Sequence, residues 1–171
     1  MKTKPVIIAA AVCLIAGAIV GFFFAPFRAR PTGPAPSLSP QQVVQIQLEA
    51  LRTNGADDAG IARVFSFASP GNRSQTGPLE RFAVMLRQGP FRVMFDYVSD
   101  EYAPIDIRGR VALQVVTLFD VDHVGHTFMF QLSRQTAAPY TDCWMTDAVI
   151  PAPPAPAAPP PAEQGRPIPG V

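Results

Sequence analysis

Proline is concentrated at two places in the chain, and this distribution decides which residues can form a domain. The chain has 171 residues and 20 prolines, and nine of these prolines lie among the last 21 residues. Because proline lacks a backbone N–H and fixes φ, such stretches form neither helix nor sheet, and extended polyproline II is their natural conformation. We predict a Pro-rich linker at residues 28–38, one domain at residues 39–150 and a disordered Pro/Ala-rich tail at residues 151–171.

The N-terminal segment carries no charge from residue 5 to residue 27. About 20 apolar residues in a helix cross the ~30 Å hydrocarbon core of a bilayer, and this run is longer than the apolar region of a usual signal peptide. We therefore predict a basic leader at residues 1–4 and a transmembrane signal anchor at residues 5–27. A signal peptide cleaved near residues 16–18 is the alternative.

The short leader favours a single-pass protein of the bacterial inner membrane whose domain faces the periplasm. A leader of four residues usually stays in the cytoplasm, which places the following domain outside. Lys2 and Lys4 oppose Arg28 and Arg30 across the span, so the positive-inside count is nearly balanced. An inverted anchor with a cytoplasmic domain therefore stays open.

Three amphipathic helices are predicted in the first half of the domain. Residues 39–42 read Ser-Pro-Gln-Gln, which is a capping box with proline in the first turn, and apolar residues follow at helical spacing. A second helix is predicted to begin near residues 57–58 and to end at residues 69–72, where Pro and Gly interrupt the pattern. Residues 76–78 predict the start of a third helix, which Gly89 ends.

After residue 90 the apolar period changes from 3.6 to 2, which is typical of strands. We predict strands at residues 91–97, 110–119, 127–134 and 141–150, with a connection at residues 99–104 and a turn at residues 120–125. Helices followed by strands along the chain indicate the α+β class. The expected architecture is three N-terminal helices packed on a curved antiparallel sheet of about four strands, preceded by the transmembrane helix.

Four blocks of the sequence resemble a proteobacterial family known only as a domain of unknown function. They are Val43–Leu51, Phe67–Leu86, Phe130–Gln135 and Pro139–Val149. The resemblance covers residues 40–150 and implies no activity. The order of elements also resembles cystatin-like and NTF2-like rolls, which implies that the helices cover one face of the sheet. Such rolls host enzymes, ligand pockets and assembly modules, so the resemblance leaves function open.

Two groups of reactive side chains are interpreted as structural. Asp120, Asp122, His123 and His126 are of the residue types that bind zinc or iron, but the same segment is typical of a polar hairpin turn. Cys143 is the single cysteine outside the apolar N-terminal run, and strand alternation predicts it on the core face with Met145 and Val149. We predict no metal site, no cofactor and no catalytic residue.

The candidates for ligand binding lie around the last turn and strand. They are Arg134, Tyr140, Asp142 and Trp144. Asp147 lies in the same region but is not one of them. On the concave face of a roll, the planar guanidinium of Arg134 would hold a carboxylate. The alternative is an Arg–Asp pair that joins two neighbouring strands.

The formal net charge is +1 and no basic stripe is present, so nucleic acid is not an expected partner. The leading hypothesis is a membrane-anchored envelope protein whose domain is a non-enzymatic protein-interaction or self-association module. Its partner would be another protein or a second copy in a homodimer. The alternative is a small-ligand pocket, or an NTF2-like enzyme, on the concave face of the sheet.

Overall fold

A computed structural model of the chain describes residues 32–152. The predicted leader, the predicted signal anchor and residues 153–171 of the predicted tail lie outside the described residues. Within residues 32–152, no helix is long and apolar enough to cross a membrane. This part of the chain has five helices followed by an antiparallel sheet of five strands, which confirms the α+β class.

The helices occupy the first half of the domain. They are α1 (Pro40–Arg52), α2 (Ala59–Phe67), α3 (Pro70–Thr76), α4 (Leu79–Leu86) and a 3₁₀ helix (Gly89–Phe95). The capping box predicted for α1 is confirmed, because the Ser39 hydroxyl accepts from the Gln42 backbone N–H at 3.2 Å and the Gln42 Oε1 accepts from the Ser39 N–H at 2.8 Å. The apolar stripe of α1 packs into the core, where Val43 and Val44 are fully buried.

Two predicted boundaries in this half are wrong. Residues 69–72 do not merely end the second helix, because Ser69 begins another one: its hydroxyl accepts from the Asn72 N–H at 3.2 Å, and Pro70 occupies the first turn of α3. The strand predicted at residues 91–97 is instead the 3₁₀ helix and its end. Three residues per 3₁₀ turn place Phe91 and Met94 on the same side of this helix, against the core.

The sheet contains β1 (Ser99–Tyr102), β2 (Asp106–Arg108), β3 (Val111–Phe119), β4 (Gly125–Arg134) and β5 (Trp144–Pro151). The strand order is β1-β3-β4-β5, and β2 also pairs with β3. The predicted connection at residues 99–104 is therefore wrong in part. β1 and β2 lie one after the other along the same edge of β3, and Pro104, which has no N–H to donate, stands in the gap between them.

A β-bulge in β5 changes which side chains face the helices. β4 residue Leu132 pairs with Thr146, whereas the preceding Gln131 pairs with Ala148, so Asp147 is the extra residue of β5. The predicted alternation assigned Met145 and Val149 to one face. The burial of Met145, which is 0% exposed, is confirmed. The face shared with Val149 is wrong, because the bulge shifts the alternation by one residue: Met145 lies opposite Ser133, and Val149 lies opposite the core residue Phe130.

Close contact between α1 and α2 generates the first prediction. A Cβ atom at Gly60 would lie 2.0 Å from the carbonyl oxygen of Ala50, whereas a Cβ at Gly71 of α3 would meet nothing closer than the Ser69 Oγ at 3.9 Å. Gly60→Ala should therefore lower the free energy of unfolding by about 1–3 kcal/mol through overpacking. Gly71→Ala is the matched control and should be neutral or stabilise by up to ~1 kcal/mol, because alanine is the better helix former.

Denaturant unfolding of the full-length chain, followed by circular dichroism, measures both changes. Equal effects of the two substitutions would contradict the close approach of α2 to α1.

Candidate functional site

A cavity of about 190 Å³ lies between the helices and the inner face of the sheet, partly open to solvent. We call it the helix–sheet cavity. α1 to α4, the 3₁₀ helix, β4 and β5 all contribute to its walls, and most of the lining is apolar. The apolar residues include Leu48, Val64, Phe82, Met94, Phe130 and Val149. The volume exceeds the ~150 Å³ of an apolar protein cavity that holds benzene, so it suits a small organic molecule.

A buried polar cluster lies at one wall of this cavity. The Gln47 Nε2 donates to the Thr146 Oγ1 at 2.8 Å and to the Val43 carbonyl at 3.2 Å. The Thr146 carbonyl accepts from the Ser69 N–H at 2.9 Å and from the Asn72 Nδ2 at 3.1 Å. Gln47 is 3% exposed and Thr146 is 2% exposed. Because buried polar groups need partners, these bonds hold the helices in place over β5.

Gln47 and Thr146 are not among the predicted site residues, although the sequence contains a signal for Gln47. Gln47 lies on the apolar stripe of α1, three residues after Val44 and four after Val43. A polar residue on the buried side of a helix requires an internal partner. The partner lies 99 residues away, so local patterns could not reveal it.

The bulge brings Asp147 to the same wall. In a bulge, two consecutive residues lie opposite one residue of the neighbouring strand, and both Thr146 and Asp147 line the cavity. Among the lining residues that the structure describes, Asp147 is the only one with a charged side chain. No described residue forms a hydrogen bond or an ion pair with this carboxylate. The cavity thus combines an apolar interior with one carboxylate.

The opposite side of the sheet forms a second surface, which we call the outer sheet face. It consists of the side chains of β3, β4 and β5 that point away from the helices, and none of them is charged. Its exposed or partly exposed apolar residues are Val111, Leu113, Val115, Phe119, Met129 and Ile150. Val115, Met129 and Ile150 lie side by side in one row across the three strands. Charged side chains on this side begin only at β1 and β2, with Glu101, Asp106 and Arg108.

The four predicted ligand-binding residues lie at the β4–β5 connection. The Arg134 Nε donates to the Asp142 carbonyl at 3.2 Å and lies 3.4 Å from the Asp142 Oδ1. Trp144 pairs with Arg134 across the strands and packs into the core, while the guanidinium of Arg73 covers the Tyr140 ring at 5.1 Å. None of the four lines the helix–sheet cavity. Their role in ligand binding stays a prediction.

Asp142 also accepts from the Arg110 guanidinium at 3.4 Å, and Arg110 donates to the Arg134 and Gln135 carbonyls. Arg110 and Arg134 therefore form their hydrogen bonds with residues of the β4–β5 connection and its ends. Cys143, at the end of the connection, is buried as expected. Burial raises the pKa of its thiol, which disfavours the reactive thiolate at neutral pH.

The predicted turn at residues 120–125 is confirmed between β3 and β4. The Asp120 Oδ1 accepts from the backbone N–H groups of Asp122 and Val124, at 3.0 and 2.9 Å, while its Oδ2 lies 2.9 Å from the His126 Nε2. His123 adopts the left-handed conformation with φ 59°. Within the described range, no group of three or more His, Cys, Asp or Glu side chains is arranged to hold a metal ion. Both oxygens of Asp120 stabilise the hairpin.

A family model described as a domain of unknown function, DUF4864, matches residues 37–155. The match covers about 119 of the 171 residues. No curated protein and no solved structure shows significant similarity to the chain.

The Asp120 bonds generate a pH prediction. The hydrogen bond with His126, together with the N–H groups of Val124 and Asp122, lowers the pKa of the Asp120 carboxyl. Its ionised form therefore stabilises the fold above the carboxyl's ordinary pKa, and this contribution is lost as the pH falls through the lowered value. The wild-type Tm should exceed that of Asp120→Asn at pH 7, and the difference should shrink towards pH 3.

Thermal unfolding of both proteins across this pH range measures the difference. Asp122→Asn is the matched control, because this carboxyl is in the same turn and makes no side-chain bond to a described residue; its substitution should change Tm little at either pH. A difference for Asp120→Asn that does not depend on pH would refute the assignment.

Proposed function

The chain belongs to the DUF4864 family of domains of unknown function, and we propose that its domain is a non-enzymatic self-association module. Two copies would meet through the outer sheet face. The observation that carries the proposal is the uncharged surface of β3, β4 and β5, with Val115, Met129 and Ile150 in one row. Contiguous exposed apolar patches on soluble domains often mark interaction surfaces.

The charge of this face suits a second copy of the chain, and its size suits a weak association. The strands have 9, 10 and 8 residues, and with spacings of ~4.8 Å between strands and ~3.4 Å per residue they cover roughly 400 Å². A two-fold dimer brings the same patch of both copies together. Any charge on the patch would therefore lie close to the same charge on the other copy. An uncharged patch avoids this repulsion. It also offers no electrostatic attraction to a partner with a charged surface.

Membrane attachment would strengthen such an association. The charge-free run at residues 5–27 supports an anchor in the bacterial inner membrane, with the domain in the periplasm. Two domains attached to the same bilayer have a high effective concentration, so a weak interface is sufficient for dimers. This localisation, like the dimer, is part of the proposal.

A lysine at the outer sheet face tests the dimer. Ile150 is 45% exposed, so Ile150→Lys should leave the fold intact. In the dimer, however, the new ammonium group would be buried without a partner, which should weaken the dimer at least about tenfold. Val84 is 54% exposed and lies on α4, which is not part of this face. Val84→Lys is therefore the matched control.

Energy transfer between fluorescently labelled copies of the full-length chain in lipid vesicles, at several protein-to-lipid ratios, measures the association. We expect dimers for the wild type and Val84→Lys, and monomers for Ile150→Lys. A wild type that is monomeric throughout, or an Ile150→Lys variant that dimerises normally, would overturn the proposal.

The second candidate function is binding of a small ligand in the helix–sheet cavity. The cavity volume of about 190 Å³ and its mixed apolar and polar lining favour it. The two functions use opposite faces of the sheet, so one domain can have both. This second candidate differs from the ligand site predicted around Arg134, which lies outside the cavity lining.

A further inference from the structure

Gln47, the buried amide at the wall of the helix–sheet cavity, has used both of its hydrogen-bond donors within the protein. Both amide hydrogens of Gln47 are donated, to Thr146 and to the Val43 carbonyl. The Asn72 Nδ2 donates to the Thr146 carbonyl, and the Thr76 hydroxyl lies 2.9 Å from the Asn72 carbonyl and donates to it. The Gln47 Oε1 accepts no hydrogen bond from a described residue. This oxygen is therefore available as an acceptor for a ligand.

Asp147 adds a negative charge to the same wall. It follows Thr146, the partner of Gln47, and it lines the cavity at the bulge. No positively charged side chain lines the cavity among the residues that the structure describes. A carboxylate beside apolar surface is stabilised when a cation pairs with it. The wall therefore offers acceptors and a negative charge to whatever occupies the cavity.

We propose that the helix–sheet cavity binds a small organic cation with an apolar body and one protonated amine. This inference rests on the second candidate function, which it makes specific. The apolar body lies among residues such as Leu48, Phe82 and Met94, and the ammonium group donates to the carboxylate of Asp147. The cavity is somewhat larger than one that holds benzene, so a single aromatic or aliphatic ring with a short amine arm fits it.

Methionine methyl groups report on binding at this place. Met85 and Met94 line the cavity, whereas Met129 lies on the outer sheet face. The full-length chain, labelled with ¹³C at its methionine methyl groups, is titrated in neutral detergent with 2-phenylethylamine and with 2-phenylethanol. These probes share a ring and a two-carbon arm, but only the amine is charged at pH 7. We expect both probes to shift the Met85 and Met94 signals and to leave Met129 unchanged.

Removal of the carboxylate tests its role. A charge-assisted hydrogen bond contributes ~1.5–3 kcal/mol, so Asp147→Asn should weaken 2-phenylethylamine binding at least about tenfold and leave 2-phenylethanol binding unchanged. Glu101→Gln is the matched control, because it removes one negative charge from the exposed edge strand β1. It should change neither affinity.

A further substitution, Val149→Phe, tests whether the cavity binds ligands at all, separately from whether it prefers a cation. This substitution places a ring in the cavity from β5, where phenylalanine is a favourable strand residue, and it should abolish binding of both probes. If 2-phenylethanol binds as tightly as 2-phenylethylamine, or if Asp147→Asn weakens both equally, the cation proposal is wrong while the cavity still binds ligands. If neither probe shifts Met85 or Met94 in the wild type, both claims fail.

Discussion

Thr146 is the residue through which the helices are bonded to the sheet. Its hydroxyl accepts from Gln47 of α1, and its carbonyl accepts from Ser69 and Asn72 at the start of α3. All of these bonds converge on one residue that is almost fully buried, where an unpaired polar group would cost ~1–3 kcal/mol. They fix the distance between the helical layer and β5. The cavity exists because the apolar side chains on either side do not close that distance.

Local signals predicted the α+β class, α1 and the long strands, since capping and periodicity act within a few residues. The same kind of signal was misinterpreted at α3: Ser69-Pro70 repeats the Ser39-Pro40 start of α1, but Gly71 suggested a helix end. At residues 91–97 the apolar residues fit a period of two as well as three, and such short runs are ambiguous. The apolar residues of this segment pack against α1 and α4, and this packing stabilises the 3₁₀ helix rather than a strand.

The candidate sites were less predictable, because they depend on contacts between distant residues. The alternative to a ligand site was an Arg–Asp pair that joins two strands. Arg134 does contact Asp142, but Asp142 lies within the β4–β5 connection rather than on a strand. The cavity requires Gln47 to meet Thr146, which is 99 residues away, and a bulge that reverses the alternation after Thr146. No pattern within β5 marks that bulge. The outer sheet face follows from the register of three strands, so it too emerges only in the fold.

A double-mutant cycle on Gln47 and Thr146 tests most directly whether this contact holds the helices to the sheet. The free energy of unfolding of the full-length chain is measured for Gln47→Leu, Thr146→Val and the double variant. Each single substitution leaves a buried polar group without its partner and should cost about 1–3 kcal/mol, whereas replacing both partners should cost clearly less than the sum. Costs that simply add would show that the two side chains are not coupled, and would contradict the account.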